Sequence, residues 1–179
     1  MINNSVETAT NEVLIQNENS QQTTIQLQSN LMSLNSGRIQ ISNLQDSNES
    51  YDMNGDLLID NVTNSTISIS GNVNSIRIKN VSDSKIEVKN ICAGSIYIEN
   101  VRNGTLKVAG DQIRIHDCVN VDFFIFTRSS CILEDCENLR FHPNKDAASL
   151  TGKEDESYWK SIQDFGFNPE GSFTLVESN

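Results

Sequence analysis

An apolar motif that returns every 17 to 20 residues is the feature that most constrains the fold of this chain. In each copy two apolar residues flank a variable residue, and a variable residue, an Asn or Asp, and a Val, Leu or Cys follow. The second apolar residue of the successive copies is Ile41, Ile59, Ile78, Ile98, Ile115 and Leu133. Another apolar residue lies eight positions later from the second copy onward, at Ile67, Ile86, Leu106, Phe123 and Phe141. The sequence is therefore an internal repeat with two short apolar segments in each copy.

This repeat predicts an all-β fold, a right-handed parallel β-helix of about six coils. Apolar residues at i and i+2 fall on opposite sides of an α-helix but on one face of a strand, so the alternating segments are predicted to be strands. A period near 20 matches one coil of a solenoid, in which each strand pairs with the strands of the coils above and below. Leucine-rich repeats have a similar period, but the leucine framework that they need is missing.

The Asn or Asp of each copy is predicted to form a corner after the strand. Both residue types tolerate left-handed backbone angles and form hydrogen bonds within their own turn. The apolar residue that follows is predicted to point into the core, which makes Cys118 and Cys136 neighbours in successive coils. A buried free cysteine behaves as a small hydrophobic residue, so we favour a structural role for this pair over redox or metal chemistry.

The β-helix is predicted to occupy residues 37–143 and to follow a polar segment, residues 1–36. That segment is rich in Asn, Gln, Ser and Thr and contains no Lys or Arg. Such a composition buries too little apolar surface to offset the entropy of ordering, so we predict a disordered tail. Edge strands at 13–15 and 25–27 are the alternative.

Residues 144–179 are predicted to pack back onto the β-helix, since a solenoid has open ends that need covering. The stretch 144–153 is polar and is predicted to be a loop. Acidic residues then precede a short helix predicted over Tyr158–Phe165, in which Trp159, Ile162 and Phe165 are spaced to face one side. A strand over Phe173–Val176 is predicted to complete the closing segment.

Charge and composition exclude several classes of partner. The formal net charge of −11 argues against binding to nucleic-acid backbones or to anionic membranes, because both carry the same sign of charge. No run is long and apolar enough to span a bilayer. A membrane anchor is not expected either, since Ile2 stands where myristoylation needs a glycine. With no signal peptide at the start, the cytoplasm is the expected location.

No metal or cofactor site is predicted. The four cysteines form no C-x-x-C pair, and the chain has only two histidines, which argues against structural zinc. There is no G-x-x-x-x-G-K-[ST] phosphate loop, no nucleophile–base pair with a supporting third residue, and no carboxylate cluster. The chain is therefore not expected to bind a nucleotide or to catalyse a reaction alone.

Side chains that the repeat does not need are concentrated in the rung Gln112–Cys118, which we refer to as the arginine rung. If Ile113 and Ile115 point inward, the variable residues point outward. Aligned outward positions on neighbouring coils then complete one surface, which we refer to as the arginine face: Arg77, Tyr97, Gln112, Arg114, His116 and Glu134. Glu134 is expected close enough to Arg114 for an ion pair or a water bridge. The alternative is a solvated sheet surface with incidental charge pairs of little energetic value.

The arginine rung and the segments after it resemble the C-terminal domain of the tubulin-binding cofactor C family. The resemblance rests on Gln112-x-Arg114-x-His116, on Ile132-Leu133-Glu134-Asp135-Cys136, and on Asn138-Leu139-Arg140-Phe141 followed by Pro143. Trp159, Asp164 and Phe165 are similar to the closing W-x-x-x-x-D-F segment of that family. The similarity covers roughly residues 37–167. Cyclase-associated proteins share the fold but lack an arginine rung of this kind.

The resemblance implies a GTPase activator that works in trans. Arg114 is then the arginine finger that enters a partner's GTP site, a contribution generally worth about 10³–10⁵ in rate. Gln112 is implied beside it, bonding the partner or the nucleotide site. The resemblance further implies that Glu134 orients the arginine or contacts the GTPase and that Phe165 reaches the same surface. Trp159 is expected to anchor the closing segment.

The implied partners are GTP-bound β-tubulin and tubulin cofactors D and E, with a cytoplasmic, cytoskeleton-associated location. An Arf-like small GTPase is the alternative partner, and a non-catalytic actin-binding module of the cyclase-associated type is the alternative class. Two departures from the family pattern matter. Thr127-Arg128-Ser129-Ser130 stands where members often have T-S-R-P, so no role is carried onto a second arginine. Residues 1–36 are also too short and polar to supply the family's N-terminal helical domain.

Overall fold

The computed structural model describes residues 38–152, 157–166 and 171–177. Within them the chain forms a right-handed parallel β-helix of about six turns with one short helix, which confirms the predicted fold class. Its strands are β1 Arg38–Gln45, β2 Asn48–Thr63, β3 Thr66–Ser82, β4 Lys85–Val88, β5 Cys92–His116, β6 Val119–Thr127, β7 Cys131–Glu134, β8 Leu139–Pro143, β9 Ile162–Asp164 and β10 Phe173–Leu175. The helix, α1, spans Lys145–Thr151. The predicted tail, with its alternative edge strands, lies outside the described residues.

Successive coils pair in the register that the repeat predicts. Ile41 lies opposite Ile59, and Ile59 lies opposite Ile78. Further along the solenoid Ile78 lies opposite Ile98. All these pairings are parallel, because each strand meets its equivalent one coil later in the same direction. One apolar position of the repeat thus becomes one column of the core.

The core is a stack of aliphatic columns that ends in aromatic residues. Ile59, Ile78 and Ile98 are fully buried. In the last coils the second apolar column changes to Phe123 and Phe141, whose rings stack with centroids 5.4 Å apart. Burying a side chain of this size generally contributes about 1.5–3 kcal/mol. The inward columns therefore carry the stability of the domain, and the outward columns are free to serve function.

Left-handed Asn and Asp residues form two corners in each coil, of which the sequence analysis predicted one. The predicted corner has φ between 50° and 58° at Asn43, Asn61, Asn80, Asn100, Asp117 and Asp135. The second corner, three residues later, has φ between 47° and 57° at Asp46, Asn64, Asp83, Asn103, Asn120 and Asn138. Side-chain amides link the coils at both corners, for example Asn61 Nδ2 to Asn43 Oδ1 at 2.7 Å and Asn138 Nδ2 to Asn120 Oδ1 at 2.6 Å.

The position predicted for the short helix was wrong. The helix lies earlier, within the stretch 144–153 that was predicted to be a loop. Asn144 caps it by accepting a hydrogen bond from the Ala147 backbone, and Gly152 ends it in a left-handed conformation. Ala147 and Ala148 are buried in a small cluster with Phe126. The capping Asn thus begins a seven-residue helix, and the two alanines pack it against the β-helix. The polar composition of the stretch gives no sign of this helix in the sequence. This helix is too short to cross a membrane, and no helix in the described parts of the chain meets that requirement.

The segment predicted as a helix over Tyr158–Phe165 forms a turn followed by β9. β9 adds to the exposed edge of β7, with Ile162 opposite Cys131 and Asp164 opposite Leu133. The helical spacing of the apolar residues is a local preference only. Hydrogen bonding to the open edge of β7 stabilises the strand more than this preference stabilises a helix. The strand predicted near Phe173 is present as β10 and pairs with β8. Both strands cover open edges, as expected for the closing segment, while residues 153–156 and Phe167 lie outside the described residues.

Acid should weaken the last coils through one carboxylate. Asp122 accepts two hydrogen bonds from Arg140, at 2.7 and 2.6 Å, and lies 3.0 Å from Nε2 of His142. The bonds from Arg140 hold the pKa of Asp122 below its usual value. The stability that Asp122 contributes is therefore complete above the unfolded pKa of about 3.9, and it is lost as the pH falls through the lower folded pKa.

We expect Asp122→Asn to lower the melting temperature by a few degrees at pH 7 and to flatten its decline in acid. Circular dichroism melting curves of wild type and variant check this. They are taken between about pH 2.5 and 7, a range that includes the carboxyl pKa. Identical acid profiles for the two proteins would mean that Asp122 is not the group responsible.

Candidate functional site around Arg114

The arginine rung presents its polar residues outward, as predicted. It forms the end of β5, where Ile113 and Ile115 are 0% and 1% exposed. Gln112 and Arg114 alternate with them and are exposed, and His116 is half-buried. The outward direction follows from strand geometry alone, because neighbouring side chains on a strand point to opposite faces.

Residues of the neighbouring coils surround Arg114. On one side Arg114 lies opposite Ile132, which in turn lies opposite Gln163 of β9. On the other side lies Tyr97, which in turn lies opposite Arg77. Arg102 pairs with Val119 on the next coil, 119 − 102 = 17 residues later, and the same step of 17 residues leads from Tyr97 to Arg114. The fold thus sets Arg114 between the side chains of an aromatic residue and an aliphatic one on a continuous sheet.

Arg114 differs from its neighbouring arginines in having no charged partner. The stretch from Arg77 to Arg140 contains five arginines, and four of them form ion pairs. The four pairs are Arg77–Glu99, Arg102–Asp117, Arg128–Asp111 and Arg140–Asp122. Within the described residues the Arg114 guanidinium makes no hydrogen bond or ion pair. An exposed cation left unpaired on an acidic protein is available for an anion that another molecule supplies.

The other cation predicted on the arginine face is already held. Arg77 contacts Glu99 at 3.5 Å and lies over the ring of Tyr97, 5.0 Å from its centroid. Lys79 on the same face contacts Asp60 at 3.1 Å. These pairs cancel charge around the site and fix Tyr97 from one side. Arg77 and Tyr97 therefore belong to the wall beside Arg114, and their contact with a partner remains a prediction.

Glu134 lies where the register predicts, yet it does not pair with Arg114. It is exposed and lies opposite His116 on the next coil. No direct Arg114–Glu134 ion pair exists between these described residues, so the direct contact that we considered is not formed. His116 instead faces Asp135, with Nε2 3.6 Å from Oδ2. Its Nδ1 is buried without a hydrogen-bond partner in the described structure, which leaves one donor or acceptor at the foot of the site unused.

Phe165 extends the arginine face by one further coil. Its backbone N–H donates to the carbonyl oxygen of Leu133 at 2.9 Å, which continues the β7–β9 pairing and places Phe165 beside Glu134. The Phe165 side chain is 66% exposed. Trp159 packs partly buried against the core, as expected for an anchor. Trp159 thus faces the core, whereas Phe165 faces outward.

A tight turn after β9 fixes the position of Phe165. The Gly166 N–H donates to Oδ1 of Asp164 at 2.8 Å, and the chain passes directly over the last corner. A Cβ at Gly166 would lie 2.9 Å from the backbone nitrogen of Asp135 and 3.1 Å from Asp164 Oδ1. No side chain is tolerated at this distance from a backbone atom without a shift of the turn. Gly166 is therefore required for the close approach of β9 to the corner at Asp135.

We expect Gly166→Ala to cost about 1–3 kcal/mol and to loosen the closing segment, because the added methyl group overpacks the contact with Asp135. Urea unfolding followed by the fluorescence of Trp159, the single tryptophan of the chain, measures the effect. Gln163→Ala, an exposed change one residue before Asp164, is the control and should leave the unfolding curve unchanged. Equal stability of both variants would show that the turn has room for a side chain.

The structure adds Gln163 as a neighbour that was not predicted from the sequence. Ile132 and Gln163 stand in the same outward column as Arg114. Arg128, onto which no family role was carried, contacts Asp111 at 2.9 Å, next to Gln112. The repeat alignment contained the signal for Ile132, but Gln163 depends on β9, which was predicted to be helical.

This arrangement can supply charge, but it lacks the parts of a self-contained active site. A rigid sheet presents one unpaired guanidinium between Tyr97 and Ile132, with an exposed Gln112 beside it. In the described ranges 38–152, 157–166 and 171–177, no group of three or more His, Cys, Asp or Glu side chains is arranged to hold a metal ion. The chemistry that fits this surface is stabilisation of negative charge on a molecule docked against it.

Comparison with known proteins supports the resemblance. The family model described as tubulin binding cofactor C matches residues 54–165, which include the whole arginine face and Phe165. Tubulin-specific chaperone C of Mus musculus is 27% identical over 120 residues, covering 63% of this chain and 35% of the mouse protein. The Homo sapiens protein of the same name is 27% identical over 120 residues, covering 63% of this chain and 34% of the human protein. This chain thus spans about a third of the length of these relatives. It belongs to the tubulin binding cofactor C family.

Proposed function

We propose that this chain activates a GTPase in the tubulin-folding pathway. In this proposal β-tubulin carries the GTP, tubulin cofactors D and E complete the complex, and Arg114 enters the nucleotide site. The guanidinium neutralises charge that develops between the β- and γ-phosphates as the bond to the γ-phosphoryl group breaks. Gln112 bonds the partner or the edge of the nucleotide site, and the chain itself binds no cofactor.

The observation that carries this proposal is the unpaired guanidinium of Arg114. Within the described residues the four other arginines between Arg77 and Arg140 are neutralised by carboxylates, and Arg114 is left exposed without a charged partner. An arginine finger needs this state, because a finger already bound to its own protein must break that contact before it reaches the phosphates. The strand also holds the backbone of Arg114 in place, so that only the side chain has to be ordered on insertion.

The remaining residues of the arginine face are proposed to hold the partner. Phe165 offers an exposed aromatic anchor, and aromatic anchors commonly dominate the energy of protein interfaces. Glu134 and His116, which lie opposite one another beside it, are proposed to contact polar groups of the GTPase. Support for tubulin as the partner comes from the relatives, whose names describe tubulin-specific chaperones. The corresponding location is the cytoplasm, in association with the cytoskeleton.

GTP hydrolysis by tubulin tests the proposal. Tubulin with cofactors D and E is incubated with radiolabelled GTP, with and without this chain, and phosphate release is followed over time. We expect phosphate release to accelerate when the chain is added to the complete mixture, and to stay at the basal rate when tubulin is left out. A rate that is the same with and without the chain would contradict the proposal.

An Arf-like small GTPase is the second candidate partner. The observation that favours it is that Arg114, Glu134 and Phe165 lie on one continuous surface inside the matched region, residues 54–165. A GTPase recognised by the arginine face alone would need nothing more. Pull-down of a GTP-loaded Arf-like protein distinguishes the candidates: retention of that protein, with no stimulation of tubulin, would favour the second over the first.

A further inference from the structure

Two cysteines lie opposite each other on the coils that carry the arginine rung and Glu134. Paired residues lie on both sides of Cys118 and Cys136, with Ile115 opposite Leu133 and Val119 opposite Glu137. Both pairs have the same offset, 133 − 115 = 18 and 137 − 119 = 18, which places Cys118 opposite Cys136. Strands of neighbouring coils are generally about 4.8 Å apart, which lies within the Cα separations that disulfides accept.

The two thiols are free and interact with each other. The side-chain hydrogen bond with Cys118 lowers the pKa of Cys136. The same contact, together with burial, raises the pKa of Cys118. The Cys136 Sγ also lies 3.8 Å from the carbonyl oxygen of Ile115, across the gap between the coils. Cys136 is thus the thiol with the lowered pKa, and the register places Cys118 opposite it on the neighbouring coil.

Exposure separates the roles of the two residues. Cys118 is fully buried, whereas Cys136 is only half-buried. A reagent from solution therefore reaches Cys136 first and meets Cys118 only through it. Both residues were predicted to be small core hydrophobes. Cys118 is fully buried, whereas Cys136 packs against the core but stays partly exposed to solvent.

We propose that Cys136 and Cys118 form a thiol–disulfide site that reacts with a small disulfide of the glutathione class. The Cys136 thiolate attacks one sulfur of oxidised glutathione, forms a mixed disulfide and releases one glutathione thiolate. Cys118 then loses its proton and attacks the Cys136 sulfur, which expels the second glutathione. The two protein thiols give up two electrons and two protons, and oxidised glutathione becomes two molecules of reduced glutathione.

The product is a covalent link between the coil of Arg114 and the coil of Glu134. Reduced glutathione or another thiol reverses the reaction by the same two steps. The chemistry concerns only these two residues and a small disulfide, so it is independent of the GTPase role proposed above. The other buried thiol nearby, Cys131, is fully covered, and burial raises its pKa. It is therefore expected to stay reduced while the pair reacts.

The test treats the folded chain with oxidised glutathione, then counts thiols and maps disulfides by mass spectrometry of peptides. The wild type should lose two of its four thiols, retain no glutathione and yield a peptide in which Cys118 is linked to Cys136. Cys118→Val should stop at the mixed disulfide and retain glutathione on Cys136. Valine is the residue at the equivalent position of earlier coils, such as Val81 and Val101, so this variant is expected to fold.

Two controls complete the experiment. Cys136→Val should leave Cys118 unreactive toward oxidised glutathione, and Cys92→Ala, far along the solenoid, should react like the wild type. The proposal is overturned if glutathione stays on Cys136 of the wild type, if Cys118 reacts in the absence of Cys136, or if the mapped link contains Cys131 in place of Cys118. Unfolding by oxidant is excluded by an unchanged circular dichroism spectrum.

Discussion

Arg114→Ala is expected to abolish the stimulation of GTP hydrolysis while leaving the β-helix folded. An arginine finger is generally worth about 10³–10⁵ in rate, because it neutralises charge that is present only in the transition state. Arg114 makes no hydrogen bond or ion pair within the described residues that its removal could disturb, so the free energy of unfolding should change by less than about 0.5 kcal/mol. Single-turnover phosphate release and urea unfolding of the variant measure both quantities.

Two matched variants sharpen this prediction. Arg114→Lys keeps the positive charge but loses the planar donors of the guanidinium, and we expect it to restore only a small part of the stimulation. Arg102→Ala removes an exposed arginine that is paired with Asp117, and it should stimulate GTP hydrolysis like the wild type. Undiminished stimulation by Arg114→Ala would remove Arg114 from the mechanism.

Phe141→Ala should have the largest effect on stability, about 3–5 kcal/mol. The Phe141 side chain is fully buried, stacks on Phe123 at 5.4 Å and meets the edge of the Phe173 ring at 5.9 Å. Removing it leaves a cavity between the last coil and β10, and both must collapse or lose contacts. Since a domain of this kind is generally stable by only about 5–15 kcal/mol, urea unfolding should show a much lower midpoint.

Phe165→Ala is the matched control, because the same atoms are deleted from a side chain that is 66% exposed. We expect its unfolding curve to change by no more than about 0.5 kcal/mol. The concentration of this variant needed for half-maximal stimulation should nevertheless rise, since Phe165 is proposed to contact the partner. If Phe165→Ala were instead as unstable as Phe141→Ala, Phe165 would be part of the core and not of the arginine face.

Most of the fold could be predicted because the same strand-and-corner pattern recurs in each copy of the repeat. Ile59, Asn61 and Val62 recur in register as strand, corner and core, and the backbone angles confirm the corner. The second corner was missed because its residues, such as Asp83 and Asn103, resemble ordinary polar loop residues in the sequence. The closing segment was predicted less well because its structure depends on a partner distant in sequence. The residues around Ile162 do not indicate that it pairs with the open edge of β7, about 30 residues earlier in the chain.

The sequence predicts which side chains of the site point outward, but it does not predict which of them form ion pairs. Strand alternation alone places Gln112 and Arg114 outward, and the alignment of coils brings Glu134 beside them. Whether an arginine pairs with a nearby carboxylate depends on side-chain conformations that the repeat does not encode. Among the residues that the structure describes, Arg114 has no ion-pair partner, while His116 faces Asp135. That difference strengthens the case for Arg114, because a direct bond to Glu134 would have to break before the finger could act.

The central claim is that Arg114 acts on the transition state of GTP hydrolysis in a partner protein. Binding of this chain to the GDP-loaded tubulin–cofactor complex, measured with and without aluminium fluoride as a mimic of the transferring phosphoryl group, tests it most directly. We expect aluminium fluoride to tighten the binding of the wild-type chain strongly and to have no effect on the binding of Arg114→Ala. Equal tightening for both proteins, or none for the wild type, would contradict the claim.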